Sequence, residues 1–395
     1  MTDNKAGKKM VPIDKIKIIS WKKGMNVKEA KEIFARPTFD PAAERIAAKI
    51  LADVKKGGDA AILKWAAKYD ASLLKTGKLL VDNNQIREAC SSIPMSFKKA
   101  VRESYKRVAK FARVSMRKEW FIRTPEGGKL GERFIPFERI GVYIPGGAAP
   151  LASTVMMTVS LAKVAGVREI VACTPCEGNG KINPYVLYAL KEAGATEVYA
   201  VGGVQAIGLM AFGTETVRKV QKIVGPGGAY VTAAKRLVYG YVALDLVAGP
   251  SEIAILADES ADPSYLASDL LSQAEHGTGK EKSLLVTTSP KIAKLTVEAI
   301  KRIFPLIRNK EAVAMVIRNG MHLVVVDDLV VGVELINQFA PEHFEIIVKK
   351  PERCLKKIRA AGAIFIGPWS PETAGDYAAG PSHVLPTGGT ASMFS

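Results

Sequence analysis

From Glu169 onward, short β-branched runs alternate with amphipathic segments, and this alternation limits the possible folds more than any other feature of the chain. EIVACTP is followed by NPYVLYALKEAGA, EVYAVGG by VQAIGLMAFG, and KVQKIVGPGG by AYVTAAKRLVYG. The runs end at Pro175, Gly203 and Gly225, a spacing of βα units rather than of a solenoid. Strands joined by helical crossovers build a parallel, doubly wound sheet. A second series begins at SEIAILAD and passes through SYLASDLLSQAEHG, KSLLVTT, KIAKLTVEAIKRIF, HLVVVDD, LVVGVELINQFAPEH and FEIIVK to AIFIGP. The reading is an α/β chain of two Rossmann-like doubly wound domains with parallel sheets, plus an N-terminal helical segment. That segment includes PAAERIAAKILADVKK and DAAILKWAAKYD, whose apolar residues recur three and four apart. The expected division is 139–248 as one Rossmann-like domain, with 1–138 packing onto 249–395 as the other. The boundary falls near VAGPSE.

At 395 residues the chain is long enough for two substantial cores. Its formal charge of +17 raises the question of a polyanionic partner. The basic residues are spread along the chain, however, and the densest block, Ser96 to Trp120, carries Phe97, Val101, Val108, Phe111 and Val114 at helical spacing. That is a surface helix with a basic outer face, and no nucleic-acid motif accompanies it. Four cysteines provide no disulfide framework and fit a reducing compartment. Cys173 and Cys176 have thioredoxin-like spacing, but they close a strand and read as packed residues. The N-terminal MTDNKAGKKM has no apolar segment behind it, and the uncharged run Ile140 to Ala162 is broken by Pro145, Gly146, Gly147 and Pro150. The expectation is a soluble, cytoplasmic protein without a membrane partner.

Four histidines occur in the chain, and two of them follow a glutamate, in AEHG and in PEHF. In the first stretch Gln273 and His276 lie three apart at a helix C-terminus, with Gly277 as the stop. An imidazole nitrogen and an amide oxygen on one edge suit a borderline metal, although such a pair is also an ordinary helix end. In the second, Glu342 and His343 open the strand FEIIV after a break at Pro341. A histidine there suits proton transfer and a neighbouring carboxylate can activate water, in a fold whose ligands bind beyond the carboxyl ends of the strands. A third stretch, Gly367 to Ser392, is long and irregular and contains Asp376 and His383, while GPSE supplies the hydroxyl of Ser251.

These stretches together resemble the histidinol dehydrogenase family: RIGVYIPGG, GGVQAIGLMAFGT, LVAGPSEIAILAD, DLLSQAEH, APEHFEI and GDYAAGPSHVLPTGGTAS stand in family order. The resemblance implies a zinc-dependent enzyme that oxidises an alcohol through an aldehyde to a carboxylate, using NAD twice, and a homodimer. Carried over by position, Gln273, His276 and Asp376 are implied zinc ligands that also meet the substrate, and Ser251 is an implied substrate contact. His343 is implied as the base of the alcohol step and a substrate contact, Glu342 as the residue that activates water, and Tyr143 and Gln205 as NAD contacts. Glu275 reads as a helix-end carboxylate and His322 as structural.

Two departures from the family pattern stand out. Gly228 occupies the place where the family usually has an asparagine that helps hold NAD. Family chains also continue into a C-terminal tail with a further zinc-ligating histidine and a substrate-binding glutamate, whereas here the sequence closes on TASMFS. Three readings stay open: L-histidinol oxidation in histidine biosynthesis, oxidation of another small alcohol such as a sulfonated diol, and a truncated form with impaired catalysis. A zinc hydrolase and a basic nucleic-acid-binding protein are the readings from other classes.

Overall fold

Apolar β-branched runs buried on both faces set the architecture of two parallel sheets. The computed structural model describes residues 16–25, 30–36, 39–69, 79–146, 150–177, 180–247, 249–382 and 384–393, without the side chain of Asp376. Along the chain the strands are β1 (Lys17–Trp21), β2 (Trp120–Arg123), β3 (Lys129–Glu132), β4 (Arg139–Tyr143), β5 (Glu169–Thr174), β6 (Glu197–Ala200), β7 (Lys222–Val224) and β8 (Ala243–Leu244). There follow β9 (Glu252–Ala257), β10 (Lys282–Thr287), β11 (Met321–Val326), β12 (His343–Ile347) and β13 (Ala363–Ile366).

One unit comprises 39–248 with 374–384. Its sheet has the order β6-β5-β4-β7-β8, parallel throughout, so the strand order reverses between β4 and β7. The helices Pro41–Tyr69 and Met95–Ser115 belong to this unit, which corrects the expectation that they pack onto 249–395. Ile50, Leu51, Val54 and Ile62 share a core with Val204, Ile207 and Met210 of the Gly203–Phe212 helix. Gly208 lets the two helices approach, since a Cβ there would sit 3.0 Å from Val54. Periodicity shows that a helix has an apolar face, but not which layer that face covers. The basic helix is likewise only half as predicted: Val101 and Val108 are buried, while Phe111 and Val114 are exposed. β2 and β3 form an antiparallel hairpin, and all of the residues in its two strands are exposed.

The other unit comprises 1–38, 249–373 and 385–395. Its sheet has the order β1-β11-β10-β9-β12-β13, again parallel throughout, and reverses between β9 and β12. β1 lies within the N-terminal part expected to be helical. It pairs with β11 from Lys17↔His322 to Trp21↔Val326. Its β-branched Ile18 and Ile19 were the available signal. Ile253, Ile255 and Ile347 pack on one face of this sheet with Leu266, Leu270 and Leu271, whereas Ala254, Leu256, Phe344 and Ile346 pack on the other. Among the described residues no helix is long and apolar enough to cross a membrane.

Candidate active site

The expected catalytic pair is held at the reversal of the second sheet, at its amino edge and not at the carboxyl edge that general experience with open α/β sheets suggests. The Leu329–Phe339 helix ends in Ala340, whose φ of 48° is left-handed, and Pro341 prevents continuation. The chain then enters β12 with Glu342 and His343 beside the start of β9, where His343 registers with Ile253. Both residues are buried. Ser251, half-buried, precedes β9 by one residue.

Glu252 organises this edge through its backbone. Its N–H donates to Glu342 Oε2 at 2.9 Å, and its carbonyl lies 3.1 Å from His343 Nδ1. A carbonyl only accepts, so Nδ1 carries the proton and Nε2 the lone pair. Glu342 Oε2 lies 3.7 Å from Nδ1, and Glu372 Oε1 lies 4.0 Å from Nε2. The Glu252 side chain is itself clamped. Arg36 Nε donates to Oε1 at 2.6 Å and Nη2 to Oε2 at 3.3 Å, with Nη2 also donating to the Phe339 carbonyl at 2.5 Å. The guanidinium lies 4.1 Å from the centre of the Phe339 ring. Neither Arg36 nor Glu252 was singled out by sequence reasoning.

The Pro263–Ala274 helix starts from an Asp262 cap that accepts the Ser264 N–H at 2.7 Å, with Pro263 at its first position. It ends as expected, with Gly277 in a left-handed conformation at φ 101°. Gln273 is fully buried and His276 exposed, with Gln273 Nε2 3.2 Å from His276 Nδ1. Gln273 Oε1 is buried with no hydrogen-bond partner among the described residues. A buried amide oxygen without a donor is costly, and a bound cation removes that cost. The pair therefore fits a metal, although among the described residues no cluster of three or more His, Cys, Asp or Glu side chains is present. Asp376 lies on the Gly375–Ala379 turn, with its side chain outside the described set.

Three more carboxyls share this part of the unit. Glu345 follows His343 by two residues, so both point to the face covered by the Pro263–Ala274 helix. Glu345 Oε1 accepts the Glu372 N–H at 2.8 Å, and the Asp269 carboxyl is within hydrogen-bond reach of Glu345. Burial, reinforced by the Asp269 charge, holds Glu345 well above the usual carboxylate range, and burial lifts Asp269 to about 6. Strand alternation from His343 was the sequence signal for Glu345. A one-turn spacing from Gln273 was the signal for Asp269.

In the first unit Tyr143 ends β4 at the sheet reversal, and its hydroxyl accepts the Gly203 N–H at 3.0 Å. Gln205 lies two residues further on and is buried. Gly225 follows β7 at φ 113°, and a Cβ there would strike the Tyr143 carbonyl. Lys235 and Asp245 pin that turn: Lys235 Nζ donates to the Gly225 carbonyl at 2.9 Å and to Asp245 at 2.5 Å, and Asp245 accepts the Gly225 N–H at 2.7 Å. Gly228 caps the Ala229–Val238 helix without a side-chain hydrogen bond, and nothing lies within 4 Å of a Cβ built there. An uncapped helix N-terminus beyond the carboxyl edge, at a strand reversal, fits a dinucleotide pyrophosphate. Cys173 is buried in β5 with its thiol pushed up by burial, which marks it as packed rather than reactive.

Comparison with known proteins adds the family. A family model described as histidinol dehydrogenase matches residues 35–395. Histidinol dehydrogenase of Carboxydothermus hydrogenoformans is 42% identical over 347 residues, or 88% of this chain and 81% of the relative. That of Heliobacterium mobile is 39% identical over 368 residues, or 93% of this chain and 86% of the relative. The crystal structure of histidinol dehydrogenase from Elizabethkingia anophelis matches with a TM-score of 0.90 at 35% identity, covering 95% of this chain and 86% of that one.

Proposed function

The chain belongs to the histidinol dehydrogenase family, and from that premise we propose that it oxidises L-histidinol through the aldehyde to L-histidine with NAD and zinc. It is an oxidoreductase of histidine biosynthesis. NAD, when bound, supplies the hydride acceptor for both oxidations, and Tyr143 and Gln205 are the residues proposed to hold it. Gln273, His276 and Asp376 are the residues proposed to hold zinc, which would supply positive charge to polarise the alcohol. A cytoplasmic homodimer completes the reading.

The observation that carries the mechanism is the His343 Nδ1 contact to the Glu252 carbonyl. It leaves Nε2 as a base of the right tautomer. Hydride leaves carbon only as the hydroxyl proton departs, so Nε2 takes that proton in the first oxidation. The aldehyde then needs water added before a second hydride can leave. Glu342, oriented by the Glu252 N–H, is the carboxylate proposed to deprotonate that water. Ser251 at the same edge is proposed to orient the substrate.

NADH formation with L-histidinol, before and after zinc chelation and beside 2,3-dihydroxypropane-1-sulfonate, tests the substrate. Turnover of histidinol that chelation abolishes is expected; turnover of the diol alone would overturn the assignment. His343→Asn should lower kcat by about a hundredfold or more. Glu342→Gln should still oxidise the alcohol but release aldehyde. Full turnover by His343→Asn would remove that residue from its role.

A further inference from the structure

Each oxidation sheds protons as well as a hydride, and His343 is buried, so protons taken up by Nε2 need a route to water. Three buried or part-buried carboxyls that the mechanism does not use lie beside it. Glu372 is buried, and its Oε1 is 4.0 Å from His343 Nε2, a gap that one side-chain torsion or one water closes. Its backbone N–H donates to Glu345 Oε1 at 2.8 Å. Glu345 is also buried, and among the described residues no donor reaches its Oε2. The Asp269 carboxyl, one helical turn before Gln273 and part-exposed, is within hydrogen-bond reach of Glu345.

Two carboxylates cannot hydrogen-bond each other unless one is protonated. A proton shared between Glu345 and Asp269 satisfies the buried oxygen and leaves the pair able to pass it on. We infer that Glu372, Glu345 and Asp269 form a relay that carries protons from His343 to solvent at the Pro263–Ala274 helix. The steps balance without any further reactant. The imidazolium gives its Nε2 proton to the Glu372 carboxylate. Glu372 passes a proton to one oxygen of Glu345 as the other oxygen releases one to Asp269, and Asp269 sheds it to water. Elevation of both Glu345 and Asp269 above the usual carboxylate range, chiefly by burial, fits groups that hold and exchange a proton near neutral pH. The inference rests on His343 as the base.

The test uses the full chain with zinc and NAD, turning over L-histidinol in dilute buffer and then with increasing MES, a proton acceptor that does not ligate zinc. Asp269→Asn should lower kcat on the order of tenfold with KM unchanged, well short of the loss of the base itself. Its kcat should climb back with MES concentration, and Asp269→Glu should restore turnover without MES. Glu345→Gln should be slow at every MES concentration, because its amide is buried. Native turnover by Asp269→Asn in dilute buffer, or a loss that neither MES nor Asp269→Glu repairs, would overturn the relay. His343→Asn separates the two ideas. If it turns over normally, the base assignment fails and the relay with it; if it is inactive while Asp269→Asn is native, only the relay fails.

Discussion

Arg36 belongs to no motif of the family resemblance, yet it sets the geometry of the edge that carries the proposed catalytic pair. Its forked hydrogen bonds hold the Glu252 carboxylate, and the backbone of Glu252 sets both the tautomer of His343 and the orientation of Glu342. Glu252 is 2% exposed, so removing its cation leaves a buried charge uncompensated. Arg36→Ala should therefore destabilise the protein by about 3 kcal/mol, seen as a lower urea midpoint with an unchanged slope. Turnover should fall more than histidinol affinity, because the residues that slip are those that move protons. Arg36→Lys keeps the charge but loses the fork, and should recover only part of either quantity. Equal stability of Arg36→Ala and the native protein would show that the clamp has no bearing on the fold.

The hairpin β2–β3 is the element that the unit containing it leaves uncovered. Phe121 is 50%, Ile122 55% and Leu130 57% exposed, and a two-stranded hairpin alone is marginally stable in water. If a second copy covers these side chains in the proposed homodimer, Ile122→Asp should move the sedimenting species from dimer to monomer at micromolar concentration. An unchanged mass would place the dimer contact elsewhere. The hairpin itself was legible in the sequence, because TPEGG between apolar runs is local turn chemistry. Gln273 with His276 and Glu342 with His343 stand together for a similar reason: each pair is set by near neighbours in the chain. What escaped depended on packing between distant segments. Strand β1 completes a sheet whose other strands begin over 200 residues later, and Arg36 reaches Glu252 across 216 positions. The amino-edge position of Glu342 and His343 follows from which strands adjoin, and single-strand patterns do not encode that.

At the scale of the whole molecule, the formal charge of +17 makes every further proton taken up by the fold unwelcome, and one buried histidine refuses one. His322, in β11, is buried; burial first, and then the charge of Lys282, bring it from 6.5 to about 4, with Glu32 opposing and Lys17 adding to the effect. The sign follows from comparing the two states. Between about 6.5 and about 4 the unfolded chain takes a proton that the folded chain does not, so acidification favours unfolding. The stability tied to this group is intact above about 6.5 and lost as pH falls toward 4, a swing of about 3 kcal/mol. Asp269 works the other way: raised from 3.8 to about 6, it makes the fold the better proton binder and stabilises it on acidification over nearly the same window. The two slopes oppose each other, so the native protein hides both. His322→Gln should unmask the carboxyl: measured against the native protein by fluorescence during acid titration, its unfolding midpoint should move to lower pH. Asp269→Asn removes the cost of ionising that carboxyl in the fold, so its urea midpoint should exceed that of the native protein above pH about 6 and match it in acid. An unmoved acid midpoint in His322→Gln, or a native urea midpoint in Asp269→Asn above pH about 6, would mean that the substituted group does not change its proton affinity on folding.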